Sequence, residues 1–256
     1  ATQSIWFGGA NASSIVLPET DGQVGFDLVD LRQSGSFTLH ALRELRDRLA
    51  KNYRLFLNGQ LTIREVLHKP IDLFQFAFIT VLDGLHLKCK DGIKIQLRSN
   101  IPIGCGMGSS AATILSVLRA MGHYFRVEFR PDWYYRYGLE TENLQHGFSS
   151  GVDTYISLHG GCVRYQNGEA TQLPLPRVPM YLVNTGSPAN TTGESVVQVR
   201  ARFGGSAIWD DFEAVTLGLE RALGDNRLDA IQSSIRENHR LLERIGVVPD
   251  KVRAFV

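Results

Sequence analysis

Three glycines at alternate positions, Gly104, Gly106 and Gly108, run into the hydroxyl pair Ser109 and Ser110 and then into the apolar stretch that opens at Ala111. These residue types at this spacing suit the binding of an anion, phosphate above all. The first backbone N–H groups of a helix lack internal acceptors and carry the positive end of its dipole, so an anion placed there meets donors and favourable charge together. Glycines ahead of such a helix let the backbone take positive φ and approach phosphate oxygens, and the two hydroxyls can serve a phosphate or a magnesium ion. Two familiar nucleotide motifs are excluded. No lysine follows the glycines as a P-loop requires, and this loop holds no G-x-G-x-x-G of the dinucleotide type. The same residues also suit a tight strand-to-helix turn without a ligand, and residue types alone leave both readings open.

The elements that must position this loop are legible in the apolar periodicity. Ile93, Ile95 and Leu97 alternate with Lys94, Gln96 and Arg98, the period-two pattern of a half-buried strand. Ala111, Ala112, Ile114, Leu115, Val117, Leu118 and Met121 give the following helix a broad apolar face. Upstream, short strands are expected at residues 4–7 and 13–17. A surface helix follows, with Leu42, Leu45, Leu49 and Tyr53 on one buried stripe. Residues 71–85 read as a second helix, although their aromatic content also suits a strand. After Gly160 and Gly161 the run CVRY reads as a strand, and residues 166–179 as a connection carrying Pro174, Pro176 and Pro179. That connection places the expected domain boundary between 1–175 and 176–256. The run MYLVNTG, residues 180–186, is an expected strand. Two amphipathic helices then follow, one through Ile208, Phe212, Val215, Leu219 and Leu223, the other through Leu228, Ile231, Ile235, Leu242 and Ile245, with Gly246 as its stop.

The chain has 256 residues, 43% of them hydrophobic, enough for one large or two modest domains with a substantial core. A net charge of +1 gives no overall attraction for nucleic acid or an anionic membrane, so any phosphate binding must come from the site itself. Cys89, Cys105 and Cys162 are an odd set without a C-x-x-C pair, which fits a reducing cytoplasm and offers no zinc site. The opening ATQSIWFGGA lacks the basic and apolar regions of a secretory signal, and no run is long enough to span a bilayer. A cytoplasmic location is expected.

The run from Pro102 through GCGMGSSAA resembles the second motif of the GHMP kinase superfamily, the galactokinases, homoserine kinases, mevalonate kinases and phosphomevalonate kinases. The segment ENLQHGFSSGVDTYISLHGG, residues 142–161, is similar to the superfamily segment that carries the magnesium glutamate and the catalytic aspartate. RENHRLLERIGVVPDKV, residues 236–252, is similar to the asparagine–histidine helix of the mevalonate kinases, and NTGSPANTTGESVVQV, residues 184–199, to their threonine segment. The four motifs stand in family order. The resemblance implies an α+β GHMP kinase fold, with an N-terminal domain like ribosomal protein S5 domain 2 and an incomplete ferredoxin-like C-terminal domain. It also implies transfer of the γ-phosphate of ATP to the primary hydroxyl of mevalonate, a step towards isoprenoid precursors. A phosphomevalonate kinase is the in-family rival, and a catalytically incompetent GHMP-like binding or scaffold fragment is the alternative.

Roles follow residue by residue from the resemblance. Gly104, Gly106, Gly108, Ser109 and Ser110 are the ATP phosphate cradle, Ser110 and Glu142 the Mg2+ ligands, Asp153 the catalytic carboxylate and Thr192 a substrate-binding hydroxyl. ATP and Mg2+ are the cofactors and mevalonate the small-molecule partner, with no nucleic acid or membrane; a homodimer is compatible with the family. Taken alone, Glu142 also suits a solvated helical carboxylate and Asp153 a helix cap. Thr191 beside Thr192 leaves the register of the threonine open. Asn238 and His239 are assigned a structural role, and His146 is expected as a turn residue ahead of Asp153, without a catalytic part. The family's first motif, with its lysine strand and GEHAV-like segment, would precede Ala1, and its third, glycine-rich motif would follow Val256. The expectation is therefore a kinase trimmed at both ends, with weak turnover.

Overall fold

A computed structural model of the chain describes residues 3–6, 12–19, 23–89, 92–102, 105–128, 130–179, 181, 183, 185–186 and 190–253. The chain divides into two units, Ala1–Gly160 and Gly161–Val256. In the first, five strands form one mixed sheet: β1 (Gln3–Trp6), β2 (Ala12–Glu19), β3 (Gln23–Leu28), β4 (Gln33–Thr38) and β5 (Gly92–Ser99), in the order β1-β2-β5-β3-β4. β5 enters between β2 and β3, antiparallel to β2 with Ile95 opposite Val16, and parallel to β3 with Ile95 opposite Phe26. A parallel neighbour requires a crossover, and α1 (Leu39–Leu57) and α2 (Pro70–Gly84) supply it between β4 and β5. The register brings Val24, Phe26 and Leu28 of β3 level with Ile93, Ile95 and Leu97 of β5, and all six are buried.

The helices follow from their apolar spacing. α1 buries Leu42, Leu45, Leu49 and Phe56, the expected stripe extended by one residue, while Tyr53 is half-buried. Its start is closed by Thr38, whose hydroxyl accepts from the Ala41 N–H at 3.1 Å. α2 is apolar around most of its surface because most of it is covered, with residues 71–79, 81 and 82 all buried. It lies against α1, α3 (Ser109–Tyr124), α4 (Pro131–His146) and β3, and Phe78 meets Phe26 edge-to-face with centroids 5.8 Å apart. Burial on most sides explains its aromatic content without a strand, and Pro70 at the first helical position fits a helix start.

α3 is the central helix of this unit, packed against β2, β5, α2, α4 and α5 (Val152–His159). Its contact with α4 and α5 is close at Gly138, where an added Cβ would lie 2.9 Å from Thr154 Cγ2 and 3.2 Å from Leu115 Cδ2. Only glycine lets the three helices approach this far, which matters because Glu142 lies one turn along α4 and Asp153 precedes Thr154 on α5. The turn between α4 and α5 is held from three sides. The Asn143 side chain accepts from the Ser149 N–H at 2.9 Å, the Tyr53 hydroxyl donates to the Gly147 carbonyl at 2.8 Å, and the Phe148 ring packs on Phe56.

In the second unit, β6 (Cys162–Gln166) and β7 (Glu169–Leu173) form a hairpin through Asn167 and Gly168, both at positive φ. Part of the expected connection is therefore a strand. Asn-Gly between the runs is the signal for this turn, since both central positions need positive φ. Arg164 Nη1 donates to Glu220 Oε2 at 3.0 Å and ties the hairpin to α7 (Ile208–Gly224), so the units part at the paired glycines 160 and 161, ahead of the prolines where sequence put the boundary. α6 (Thr192–Phe203), α7, α8 (Leu228–Arg244) and the short α9 (Asp250–Arg253) complete the unit around Ile208, Leu241 and Ile245. Gly246, at φ +78, ends the run after α8 as expected. Leu228 and Ile235, expected on the buried stripe of α8, are 49% and 56% exposed. The described residues of the MYLVNTG run, 181, 183, 185 and 186, are not in a strand, and Tyr181 is 90% exposed. An apolar run forms a strand only with a partner to bond, and the β6–β7 hairpin is the only β-structure among the described residues of this unit.

Gly147 joins the fold to the site. At φ +77 a side chain is strained, and an added Cβ would stand 2.7 Å from Phe56 Cζ. Gly147→Ala should destabilise the protein by about 2 to 3 kcal/mol, the left-handed cost plus overpacking. Gly59→Ala, at φ +72 with open space around it, should cost about 1 kcal/mol. Urea unfolding of the two variants checks this, and equal losses would remove the Phe56 contact as the constraint.

Candidate active site at the start of helix α3

The glycine loop reaches α3 with Gly106 at φ +70 and Gly108 at φ +63, the left-handed conformation that glycine adopts without strain. Gly108 is the residue before the helix. Its carbonyl accepts the Ala112 N–H at 3.0 Å, and no side chain caps this end of α3. Ser109 and Ser110 are half-buried in the first turn. Thr113 Oγ1 donates back to the Ser109 and Ser110 carbonyls at 2.6 and 3.0 Å, which fixes the turn without using its N–H groups. An uncapped helix start offers those N–H groups to an anion. Gly106, Gly108, Ser109 and Ser110 thus stand at a helix start; Gly104 lies outside the described residues.

Two carboxylates converge on this turn. Asp153, exposed in the first turn of α5, lies against Gly108, where an added Cβ would be 3.6 Å from Asp153 Oδ1. Gly151 before α5 is at φ +87, and no side chain caps that helix, so Asp153 is not spent as the cap its sequence position allowed. Glu142, by contrast, is only 1% exposed, and its Oε1 has no hydrogen-bond partner among the described residues. Burial pushes the Glu142 carboxyl up to about 7; the charge of Asp153 adds to the rise, and a hydrogen bond from Ser110 opposes it. The solvated helical carboxylate is thereby excluded. A buried carboxylate with one orphaned oxygen is costly unless a cation meets it.

That orphaned oxygen beside a serine hydroxyl fits a hard divalent cation such as Mg2+, which takes oxygen ligands. Among the described residues no group of three or more His, Cys, Asp and Glu could hold a metal.

Sequence reasoning missed His146. It is the last residue of α4 and not part of a loop, and its Nε2 lies 3.3 Å from Ser110 Oγ and 3.6 Å from Glu142 Oε2. Burial lowers its basicity, with Asp153 opposing, so the ring is held towards neutrality and its contact with Glu142 is not a strong ion pair. The available signal was the spacing: Glu142 and His146 are four apart and share a helix face once α4 is carried to its last residue. Thr192 belongs to the second unit and is exposed as the first residue of α6. Its neighbour Thr191 is engaged in a capping box, accepting from the Glu194 N–H at 3.3 Å while the Glu194 carboxylate accepts from the Thr191 N–H at 2.9 Å. Asn238 is half-buried in α8, and His239 Nε2 lies 3.8 Å from Glu243 Oε1.

Comparison with known proteins finds a family match over this part of the chain. Residues 73–161, which include α3, Glu142, His146 and Asp153, match the family described as GHMP kinases N terminal domain. The chain is 31% identical over 181 residues to a mevalonate kinase of Pyrococcus furiosus, covering 64% of this chain and 52% of the relative. It is 30% identical over 169 residues to a mevalonate kinase of Thermococcus sibiricus, covering 61% of this chain and 50% of the relative. It spans about half the length of these curated relatives. In fold it is similar to the crystal structure of the Methanococcus jannaschii mevalonate kinase, with a TM-score of 0.71 over 95% of this chain and 72% of that one at 19% identity. A glycine loop at an uncapped helix start, a buried glutamate beside its serine and an aspartate against its last glycine are thus features of a chain whose residues 73–161 match the GHMP kinases N terminal domain.

Proposed function

We propose that the protein transfers the γ-phosphate of ATP to the primary hydroxyl of mevalonate, giving 5-phosphomevalonate and ADP in the cytoplasm. The observation that carries this is Glu142, buried with an orphaned oxygen beside Ser110 at the open start of α3, with Asp153 next to it. Phosphoryl transfer needs little covalent help from a protein; it needs positioning and neutralisation of charge. The N–H groups of the first turn of α3 bind phosphate oxygens, and the left-handed Gly106 and Gly108 let the loop backbone approach them. Ser110 Oγ and Glu142 would hold Mg2+, and the ion would supply positive charge against that of the phosphates. Asp153, on the exposed side of Gly108, accepts a hydrogen bond from the acceptor hydroxyl, orients it in line with the γ-phosphate and takes its proton as transfer proceeds. The choice of mevalonate rests on the curated relatives, which are mevalonate kinases, and on residues 236–252, similar to the helix of that group. Thr192 is assigned to a substrate oxygen. A scaffold fragment would have no use for a carboxylate buried at such cost. No helix among the described residues is long and apolar enough to cross a membrane.

Two measurements test this reading. ADP formation with Mg2+ and mevalonate should fall by about 10²- to 10⁴-fold in Asp153→Ala, while calorimetry finds MgATP binding retained. Phosphomevalonate turned over in place of mevalonate would move the assignment to the in-family rival. No activity above Asp153→Ala, together with no nucleotide binding, would sink the enzyme.

The second is a pH dependence. The Glu142 carboxyl is raised from 4.5 to about 7, so its contribution to stability is present below pH 4.5 and lost as pH rises through about 7. Without nucleotide, the native protein should therefore lose about 3 kcal/mol between pH 4.5 and 8 relative to Glu142→Gln. The variant should be the more stable of the two at pH 8 and should lose Mg2+-dependent nucleotide binding. Parallel stability curves for the two proteins would show that Glu142 is not held protonated.

A further inference from the structure

We propose that His146 is a positioning residue of the metal–phosphate site, its Nε2 setting the Ser110 hydroxyl and the Glu142 carboxylate in the arrangement that receives the cation. This rests on the reading of Ser110 and Glu142 as Mg2+ ligands. One ring nitrogen faces both: Nε2 is 3.3 Å from Ser110 Oγ and 3.6 Å from Glu142 Oε2. The other nitrogen, Nδ1, is buried without a hydrogen-bond partner among the described residues. A histidine that only filled space or tied helices together would satisfy its polar atoms; this one leaves Nδ1 unmet and directs its polar contacts at the two ligands.

The backbone that follows the ring is held in place. The Gly147 N–H donates to the Asn143 carbonyl at 2.8 Å, closing α4, and the Gly147 carbonyl accepts from the Tyr53 hydroxyl at 2.8 Å. The side chain is only 19% exposed. An imidazole so placed has little freedom to swing away from Ser110.

The chemistry of the hydroxyl explains the need. Without a cation, Ser110 hydrogen-bonds to the Glu142 side chain. Once Ser110 Oγ gives a lone pair to a cation and Glu142 turns its oxygens to the same ion, the serine proton needs an acceptor directed away from the metal. His146 Nε2, in the tautomer that carries its proton on Nδ1, is that acceptor. The histidine thus turns the serine lone pair towards the ion without ligating it.

The test titrates Mn2+ into the protein with ADP present and reads free Mn2+ by electron paramagnetic resonance, with ADP binding in chelator as the control. His146→Ala should weaken Mn2+ binding by about 10- to 100-fold with metal-free ADP binding unchanged. His146→Gln, whose amide reaches the place of Nε2, should recover to within a few-fold, whereas His146→Asn, which reaches only the place of Nδ1, should not. A merely structural histidine would lower the unfolding midpoint without separating Gln from Asn, and equal Mn2+ affinities in those two variants would overturn the proposal even if His146→Ala failed to fold. Wild-type affinity in His146→Ala would overturn it as well, leaving Ser110 and Glu142 as ligands. No Mn2+–ADP binding by the native protein would overturn the ligand reading and this proposal with it.

Discussion

A carboxylate withdrawn from water needs a cation or a dense set of donors, and Glu142 has neither among the described residues. Its neighbours are the Ser110 hydroxyl, a histidine held towards neutrality and, not far off, a second carboxylate. A core position filled for stability would carry leucine here, because an apolar side chain of that size brings the hydrophobic gain without the desolvation cost. The cost makes sense only if something arrives to meet the charge. The start of α3 beside Ser110 is the reverse case, positive potential that no capping side chain offsets. Each half is unfavourable alone, and a metal-bound polyphosphate satisfies both at once.

Such a site requires the two halves to stay in place when empty. α3 is buried along most of its length between sheet and helices, so the loop that precedes it is fixed to the most constrained element of the unit. α4 and α5 are brought onto it where Gly138 admits the Thr154 methyl and the Leu115 side chain. The turn between them is clamped by Tyr53, Asn143 and the Phe56–Phe148 contact. Residues from α1 that touch no ligand therefore decide where Asp153 sits. This is the division expected when catalytic groups must be held to within about half an ångström.

The sequence made legible what depends on local pattern. The β5 strand, the glycine loop, α3 and the stripe of α1 all follow from periodicities of two and 3.6 with glycine between them. The motif from Glu142 to Asp153 was readable as a family segment, but the burial of Glu142 was not, because nothing in residues 131–146 says that this turn of the helix faces α3. His146 was lost for a related reason: with Gly147 next to it, the chain reads as a turn, whereas the helix continues to His146 and the glycine takes the strain at φ +77. β7 was legible and overlooked, since Asn167-Gly168 is a hairpin turn whatever the prolines that follow. The run at 180–186 shows the opposite failure, apolar residues whose strand character depends on a partner that periodicity cannot supply.

The burial of the two carboxylates argues for different work at one site. Glu142 is sealed from water and Asp153 is exposed, although both approach the first turn of α3. A sealed carboxylate cannot exchange protons readily with an incoming substrate, but it loses little to solvent when it binds a cation, because its desolvation is already complete in the folded protein. An exposed carboxylate gains nothing as a buried ligand but is reachable by an alcohol arriving from solution. Exchanging the two environments would spoil both proposed roles: a sealed Asp153 could not meet a hydroxyl, and a solvated Glu142 would hold a cation only as weakly as a surface carboxylate does. The fold supports this asymmetry through Gly138, where an added Cβ would crowd Thr154 of α5 and Leu115 of α3, and through Gly151, whose φ of +87 leads the chain into α5.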